Sequence, residues 1–229
     1  MKRIAIITAR GGSKRIPRKS IKEFCGQPII KYSIDVALAS GIFDEVMVST
    51  DDPEIASISK AYGAKVPFMR SEETSSDHAS TADVIEEVLQ SYKDMNIAFD
   101  YVCCIYPTAP FITPDKLKKA FQLLQQEEVE SVIPVVQYSF PPQRCFVINN
   151  EKLEYKWSEY ANMRSQDLEP IYHDCGQFYF IKTRAFMQER SMVTQNTAPL
   201  IMPETEVQDI DNEADWEIAE MKYRVMKLK

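Results

Sequence analysis

RIAIIT, residues 3–8, is an almost unbroken run of apolar, largely β-branched residues. A run with no polar alternation is what a strand buried on both faces of a parallel sheet requires. A basic, glycine-containing loop follows it, and then PIIKYSIDVALAS, residues 28–40, repeats apolar positions at helical spacing, with Pro28 in the first turn and Gly41 just past the end. FDEVMVSTDDPEIASISKAYG, residues 43–63, renews the unit, with a strand around 45–49 and a helix that starts near Pro53 and stops before Gly63. KVPFMR (65–70) reads as another short strand, followed by a polar stretch and a helix over 81–93. The strand DYVCCIYP (100–107), a helix over 113–127 and the apolar run SVIPVV (131–136) extend the alternation. Strands alternating with helices in this way predict an α/β fold with a mostly parallel sheet between helices.

Residues 137–174 break the rhythm with prolines, polar residues and two strand-like runs inside CFVINNEKLEYKW (145–157), where Asn149 and Asn150 predict a hairpin. This segment is read as an insertion within a single domain spanning 1–229. It either serves dimerisation or site coverage, or is an ordinary surface excursion. GQFYFIK (176–182) returns as a strand, and PLIMPE (199–204), VQDID (207–211) and a last helix, ADWEIAEMKYRVMKL (214–228), close the chain.

A chain of 229 residues is long enough for one substantial core and too short for two full enzyme domains. Its apolar stretches fall well short of the ~20 residues that a bilayer span needs. The start, MKRIAIITAR, lacks the pattern of a signal peptide, so a soluble, cytoplasmic protein without membrane contact is expected. The five cysteines have neither CxxC nor metal-finger spacing and read as buried thiols. A net charge of -7 argues against general nucleic-acid binding, so any phosphate site has to be local.

Such a site is offered by TARGGSKRIPRKS, residues 8–20, directly after the first strand. It packs Arg10, Lys14, Arg15, Arg18 and Lys19 around Gly11 and Gly12. Loops at the carboxyl ends of strands are where open α/β sheets bind ligands. Glycines let backbone N–H groups approach phosphate oxygens, and the cations offset their charge. The spacing is neither that of a Walker A motif nor that of a GxGxxG dinucleotide fingerprint.

A second cluster lies near the end of the chain. In EVQDIDNEADW, Asp209 and Asp211 are two residues apart in what reads as an extended segment, which puts both carboxylates on one face. Hard oxygen ligands of this kind suit Mg²⁺, with water and phosphate completing its shell. The other reading is that Asp211 or a neighbour caps the last helix. Asp51 and Asp52 form a competing pair, but Asp52, just before Pro53 and Glu54, reads more simply as a helix cap.

TARGGSKRIPRK, FDEVMVSTDD, CCIYPTAPF, RSQDLEPIYHD and EVQDID together resemble the CMP-sugar-acid synthetase (acylneuraminate cytidylyltransferase) family over essentially the whole chain. Within it the chain is most similar to members acting on pseudaminic acid. The resemblance implies a three-layer Rossmann-like nucleotidyltransferase fold with a β-hairpin insertion used in dimerisation, and hence a homodimer. It implies CTP and an acidic nine-carbon sugar as substrates, with Mg²⁺ as cofactor. Arg10, Lys14 and Lys19 fall on the family's triphosphate contacts within a loop formed by Ala9, Gly11, Gly12, Ser13 and Ser20, and Asp209 and Asp211 fall on its metal ligands. Ser20 stands where the family usually has asparagine. Arg70, Ala79, Ser80 and Thr81, in RSEETSSDHAST (70–81), match its cytosine-reading segment, although Ser80 or Thr81 alternatively caps the helix that follows.

For the sugar, Tyr106, Pro107 and Thr108 follow the strand DYVCCIYP, and sialate-activating members usually carry glutamine where Tyr106 stands. Arg144 and Arg164 are candidates for gripping the substrate carboxylate, or are surface arginines. His173 and Gln177, close to Gly176, are candidates for contacting acetamido groups, with a structural or binding role for His173 preferred over that of a base. The expected reaction is attack of the anomeric 2-hydroxyl on the α-phosphorus of CTP with loss of pyrophosphate, carried by Arg10, Lys14, Lys19, Asp209 and Asp211. The alternatives are the same chemistry on sialic acid or 3-deoxy-octulosonate, or a nucleotide-binding protein without turnover.

Overall fold

A computed structural model of the protein describes residues 1–228. RIAIIT forms β1 (Arg3–Thr8), and its side chains divide between two cores. Ile4 and Ile6 enter one cluster, while Ala5 and Ile7 enter the other. All four are fully buried, and each isoleucine contributes roughly 1.5–3 kcal/mol of transfer free energy.

Two two-residue strands, β2 (Glu23–Phe24) and β3 (Gln27–Pro28), pair with each other ahead of α1 (Ile29–Ser40). β4 (Glu45–Ser49) and α2 (Pro53–Ala61) follow, then the single turn α3 (Glu72–Ser75) and the long α4 (Thr81–Asp94). β5 (Tyr101–Ile105), α5 (Pro114–Leu124) and β6 (Ser131–Gln137) complete the alternating part. The exposed hairpin β7 (Phe146–Asn149) and β8 (Lys152–Tyr155) comes next, then β9 (Tyr172–Asp174), β10 (Phe178–Lys182), α6 (Thr183–Glu189), β11 (Thr197–Ile201) and α7 (Glu213–Lys227).

The main sheet runs β11-β6-β10-β5-β1-β4, with β9 paired to β6. β1 is parallel to both β4 and β5, and β11 is parallel to β6, but β10 runs antiparallel to β5 and β6. Helices α1, α2 and α5 cover one face, α4 and α6 the other. This is the expected three-layer α/β architecture with a mostly parallel sheet.

Several boundaries differ from the sequence reading. KVPFMR makes only one bridge, Lys65 to Met47, because Pro67 has no N–H with which to extend a ladder. The helix expected over 113–127 ends at Leu124, and the strand near PLIMPE starts earlier, at Thr197. VQDID is not a strand, although its backbone still buries Ile210 between the outward Asp209 and Asp211. In the hairpin the turn residues are Asn150 and Glu151, with φ of 48° and 61°, one step beyond the expected pair of asparagines.

A third, smaller core positions the chain's ends. Ile16 and Phe24 from the basic-loop region meet Ile210, Trp216 and Ala219 from the C-terminal segment. Phe24 packs edge-on to Trp216 at 5.6 Å and to Tyr223 at 5.5 Å. This cluster fastens α7, and with it the acidic pair, beside the loop after β1.

Candidate active site

The loop after β1 is tied to the neighbouring strand ends. The N–H of Ala9 donates to Ser49 O at 3.0 Å, and the N–H of Gly11 to Asp51 Oδ1 at 2.9 Å. Arg18, in the left-handed conformation at φ 56°, turns its guanidinium away from the loop to Asp52 Oδ2 (2.5 Å) and Glu54 Oε2 (2.6 Å). Asp52 also accepts from the N–H groups of Glu54 and Ile55 and so caps α2. Arg18 thus anchors the loop to α2. The pairing holds the Asp52 carboxyl below the usual carboxylate range.

Most of the other loop side chains line a cleft of about 410 Å³. Arg10, Ser13, Lys14, Lys19 and Ser20 form one wall and floor, and Asp77, Tyr106, Pro107 and Thr108 form the other side. Ser20 lines the cleft but is 5% exposed, so little of it is available there. Gly12 is exposed, with open space where a side chain would project.

Lys19 joins the loop to the acidic pair. Its Nζ donates to Ile210 O at 2.5 Å, although the two residues are 191 positions apart. Burial lowers the pKa of Lys19, opposed by Asp211 and Asp209. Burial, and next the charge of Asp211, raises the carboxyl of Asp209, with Lys19 pulling the other way. Arg15 pairs with Asp211 Oδ1 at 2.8 Å. Among the described residues no group of three or more potential metal ligands assembles. Two carboxylates on one face, beside a cationic cleft, nevertheless suit a magnesium ion that takes its other ligands from phosphate and water.

The polar loop at 70–81 is fastened at both ends. Arg70, 8% exposed, donates to Ser49 Oγ (3.0 Å) and Ser49 O (2.6 Å) as a buried post. Ser80 caps α4 in a reciprocal capping box with Asp83, so the capping alternative describes its side chain. Thr81 Oγ1 lies 3.3 Å from the hydroxyl of Tyr106, which connects this loop to the sugar-side candidates. Ala79 borders a separate, larger hollow of about 830 Å³ behind α4, lined by Glu86, Glu87 and Met187 among others. That hollow lies away from the loop cations and the carboxylate pair, so its size does not make it the reactive centre.

Tyr106 also packs its ring against Tyr179 at 5.5 Å, and the Tyr179 hydroxyl donates to Asp174. Gln177 is 1% exposed; its Nε2 donates to Glu206 O at 2.8 Å and its Oε1 has no partner among the described residues. Arg144, Arg164 and His173 lie on the 137–174 segment and do not line the cleft. Arg144 reaches Ser165 Oγ at 3.3 Å, and His173 rests on Tyr138 with ring centroids 4.6 Å apart.

One participant and one pairing escape the sequence reading. Asp77 receives both Arg10 Nη1, at 2.8 Å, and Lys14 Nζ. The loop cation Arg15 pairs with Asp211, which sequence spacing does not show. An isolated aspartate in a polar loop carries no periodic signal, so nothing local marks Asp77.

The sequence profile of the family described as Cytidylyltransferase matches residues 4–220. A pseudaminic acid cytidylyltransferase of Campylobacter jejuni is 42% identical over 226 residues, which cover 98% of this chain and 97% of that protein. A CMP-N,N'-diacetyllegionaminic acid synthase of Legionella pneumophila is 32% identical, over 96% of this chain and 95% of its own. The solved structure of a CMP:2-keto-3-deoxy-manno-octonic acid synthetase complexed with CTP superposes with a TM-score of 0.69 over 100% of both chains. At 19% identity it shows that the fold is shared.

Proposed function

Since the chain belongs to the cytidylyltransferase family, we propose that it transfers the cytidylyl group of CTP to an acidic nine-carbon sugar, pseudaminic acid, and releases pyrophosphate. The observation that carries the reading is the contact of Lys19 with Ile210, which sets the segment bearing the carboxylate pair beside a cleft lined by Arg10, Lys14, Arg15 and Lys19. A polyphosphate needs the cations, and its divalent counter-ion the carboxylates.

Arg10, Lys14 and Lys19 hold the triphosphate and stabilise charge that develops on the α-phosphate and the departing pyrophosphate. Asp209 and Asp211 would hold Mg²⁺, which would supply neutralisation of phosphate charge and a lower pKa for the attacking hydroxyl. The backbone N–H of Gly12 approaches phosphate oxygens, while those of Gly11 and Ser13 shape the loop by donating to Asp51 Oδ1 and Gly11 O. The segment from Arg70 to Thr81 frames the cytosine, with Arg70 setting its position rather than touching the base. Tyr106, Pro107 and Thr108 face the sugar, and Gln177, buried and off the cleft's lining, supports them from behind through its backbone carbonyl, which accepts from Tyr106 N–H at 2.9 Å. Holding the sugar hydroxyl in line with the α-phosphorus is the main service of these residues.

The same reading includes a homodimer formed through the 137–174 segment. Ile148 is 75% exposed and Leu153 69%, on a hairpin with no core of its own, and Phe140 nearby is 86% exposed. The cross-strand pair Ile148 and Leu153 is an exposed apolar surface of the kind a partner covers. All five cysteines are free, as suits a reducing cytoplasm, and no helix among the described residues is long and apolar enough to cross a membrane.

The test is pyrophosphate release from CTP and Mg²⁺ with a panel of sugar acids. Pseudaminic acid should support the highest kcat/KM, well above legionaminic acid, sialic acid and 3-deoxy-octulosonate. Preference for another acid would reassign the substrate, and CTP binding without release under any acceptor would remove the enzymatic reading.

A further inference from the structure

Every cation of the phosphate loop has an oxygen partner, but the partners are of two kinds. Arg18 is held by α2, and Arg15 and Lys19 by the segment around Asp209–Asp211. These partners belong to elements fixed by the cores. Arg10 and Lys14 pair instead with Asp77, at the tip of the 71–80 loop.

That tip has little else to hold it. The loop's near end is pinned where Glu87 accepts from the N–H and Oγ of Ser71, both at 2.8 Å, and its far end by the Ser80–Asp83 capping box. Between them Ser76, Asp77 and His78 are exposed. Their side-chain ties to the loop after β1 are the two pairs of Asp77 and a 3.3 Å contact from Arg10 to Ser76 O. Arg10, Lys14 and Asp77 all line the cleft, so the pairs form at its edge.

We propose that Asp77 is a built-in competitor of the nucleotide's phosphates: its carboxylate and the triphosphate use the same two cations, so phosphate binding is an anion exchange that frees the tip of the 71–80 loop. The inference rests on the reading of the loop after β1 as a phosphate grip. Its consequence is a coupling between the two halves of the nucleotide site. Phosphates that displace Asp77 from Arg10 and Lys14 release a segment whose end, Ala79 to Thr81, frames the base. A cytidine nucleotide that then re-orders the segment recovers what the exchange costs, and an inorganic polyphosphate does not. Asp77 is thus a specificity-setting residue that acts through Arg10 and Lys14.

Calorimetric titration with inorganic pyrophosphate tests this on the full-length wild type and the Asp77→Asn and Asp77→Glu variants. Exposed ion pairs are individually weak, so Asp77→Asn should bind pyrophosphate about three- to tenfold more tightly, while Asp77→Glu stays near wild type. Hydrogen exchange adds a second readout. Pyrophosphate should speed exchange across 71–80 in the wild type, and Asp77→Asn should exchange fast without it. A merely structural role would weaken binding or lower the melting temperature. Unchanged or weaker pyrophosphate binding by a folded Asp77→Asn protein overturns the inference while leaving the phosphate grip intact. Failure of pyrophosphate to bind the wild type overturns both.

Discussion

Gly11 faces the side chain of Asp52 so closely that a Cβ atom on Gly11 would lie 2.8 Å from Oδ2 and 3.0 Å from the Cβ of Asp52. Asp52 cannot swing aside. Arg18 grips both its oxygens, at 2.5 and 3.2 Å, and Oδ1 also accepts from Glu54 and Ile55 N–H at 2.8 and 3.0 Å. Gly11→Ala must therefore push the loop after β1 outward and displace Arg10 and Lys14. It should raise the KM for CTP on the order of tenfold or more, since small misplacements of positioning groups are costly. Gly12→Ala meets no protein atom within 4 Å, so its stability should stay within about 0.5 kcal/mol of wild type, while Gly11→Ala should lose about 1–3 kcal/mol. Urea unfolding of the two variants, beside steady-state kinetics on Gly11→Ala, checks the contrast, and equal stability of both would show that the approach to Asp52 is not limiting.

The same aspartate gives a pH dependence of known sign. Its pKa is lowered, first by the hydrogen bonds from Arg18, so its stabilisation is complete above the unfolded carboxylate value of about 3.9 and is lost as pH falls through the folded value. Asp52→Asn keeps a good cap and loses only the ionic pairing, which at a half-exposed arginine is worth no more than about 1 kcal/mol at pH 7. Urea unfolding at pH 7 and at pH 3 should show the gap between wild type and Asp52→Asn narrowing in acid. A gap that widens would mean that the Asp52 charge does not stabilise the folded state.

The layering was legible because RIAIIT alternates perfectly between two apolar cores, Ile4 and Ile6 against α4 and α6, Ala5 and Ile7 against α1, α2 and α5. Strand direction was not. GQFYFIK has the same apolar character whether it runs parallel or, as β10 does, antiparallel, since direction depends on where the 137–174 excursion returns the chain. KVPFMR misled because composition favours a strand while Pro67 withholds the hydrogen bond that would extend it. In the site, clustered charge marked the basic loop and the acidic pair, but their meeting depends on Trp216 and Ile210 packing onto Phe24 and Ile16, a contact no local pattern announces. The side-chain chemistry of Arg144, Arg164 and His173 suits a sugar acid, but the chain carries them on the excursion, off the cleft's lining.

The hairpin makes a separate prediction. Phe146, Val147, Ile148 and Leu153 are exposed on two short strands, and an isolated two-stranded hairpin is marginal in water. If a second copy covers it, the double variant Ile148→Lys, Leu153→Lys should convert a dimer to a monomer in light scattering and leave far-ultraviolet circular dichroism unchanged. A wild type that is already monomeric at micromolar concentration would remove the dimer from the functional reading.

Asp209 and Asp211 allow catalysis and folding to be separated. Burial and the neighbouring charge of Asp211 raise the pKa of Asp209, so the ionised carboxylate is held in the folded state at a cost in stability. Such groups are retained for function rather than for the fold. Asp209→Asn should therefore melt at or slightly above the wild-type temperature at neutral pH, bind CTP, and lose on the order of a hundredfold or more in kcat. Asp211→Ala should also bind CTP with little turnover, but without the gain in stability, because it gives up the 2.8 Å pair with Arg15. Removing divalent metal with a chelator should reduce the wild type to the level of the variants and leave the variants unaffected. Near-normal turnover of both variants in Mg²⁺ would reject the metal role, and a large loss of melting temperature in Asp209→Asn would show the pair to be structural.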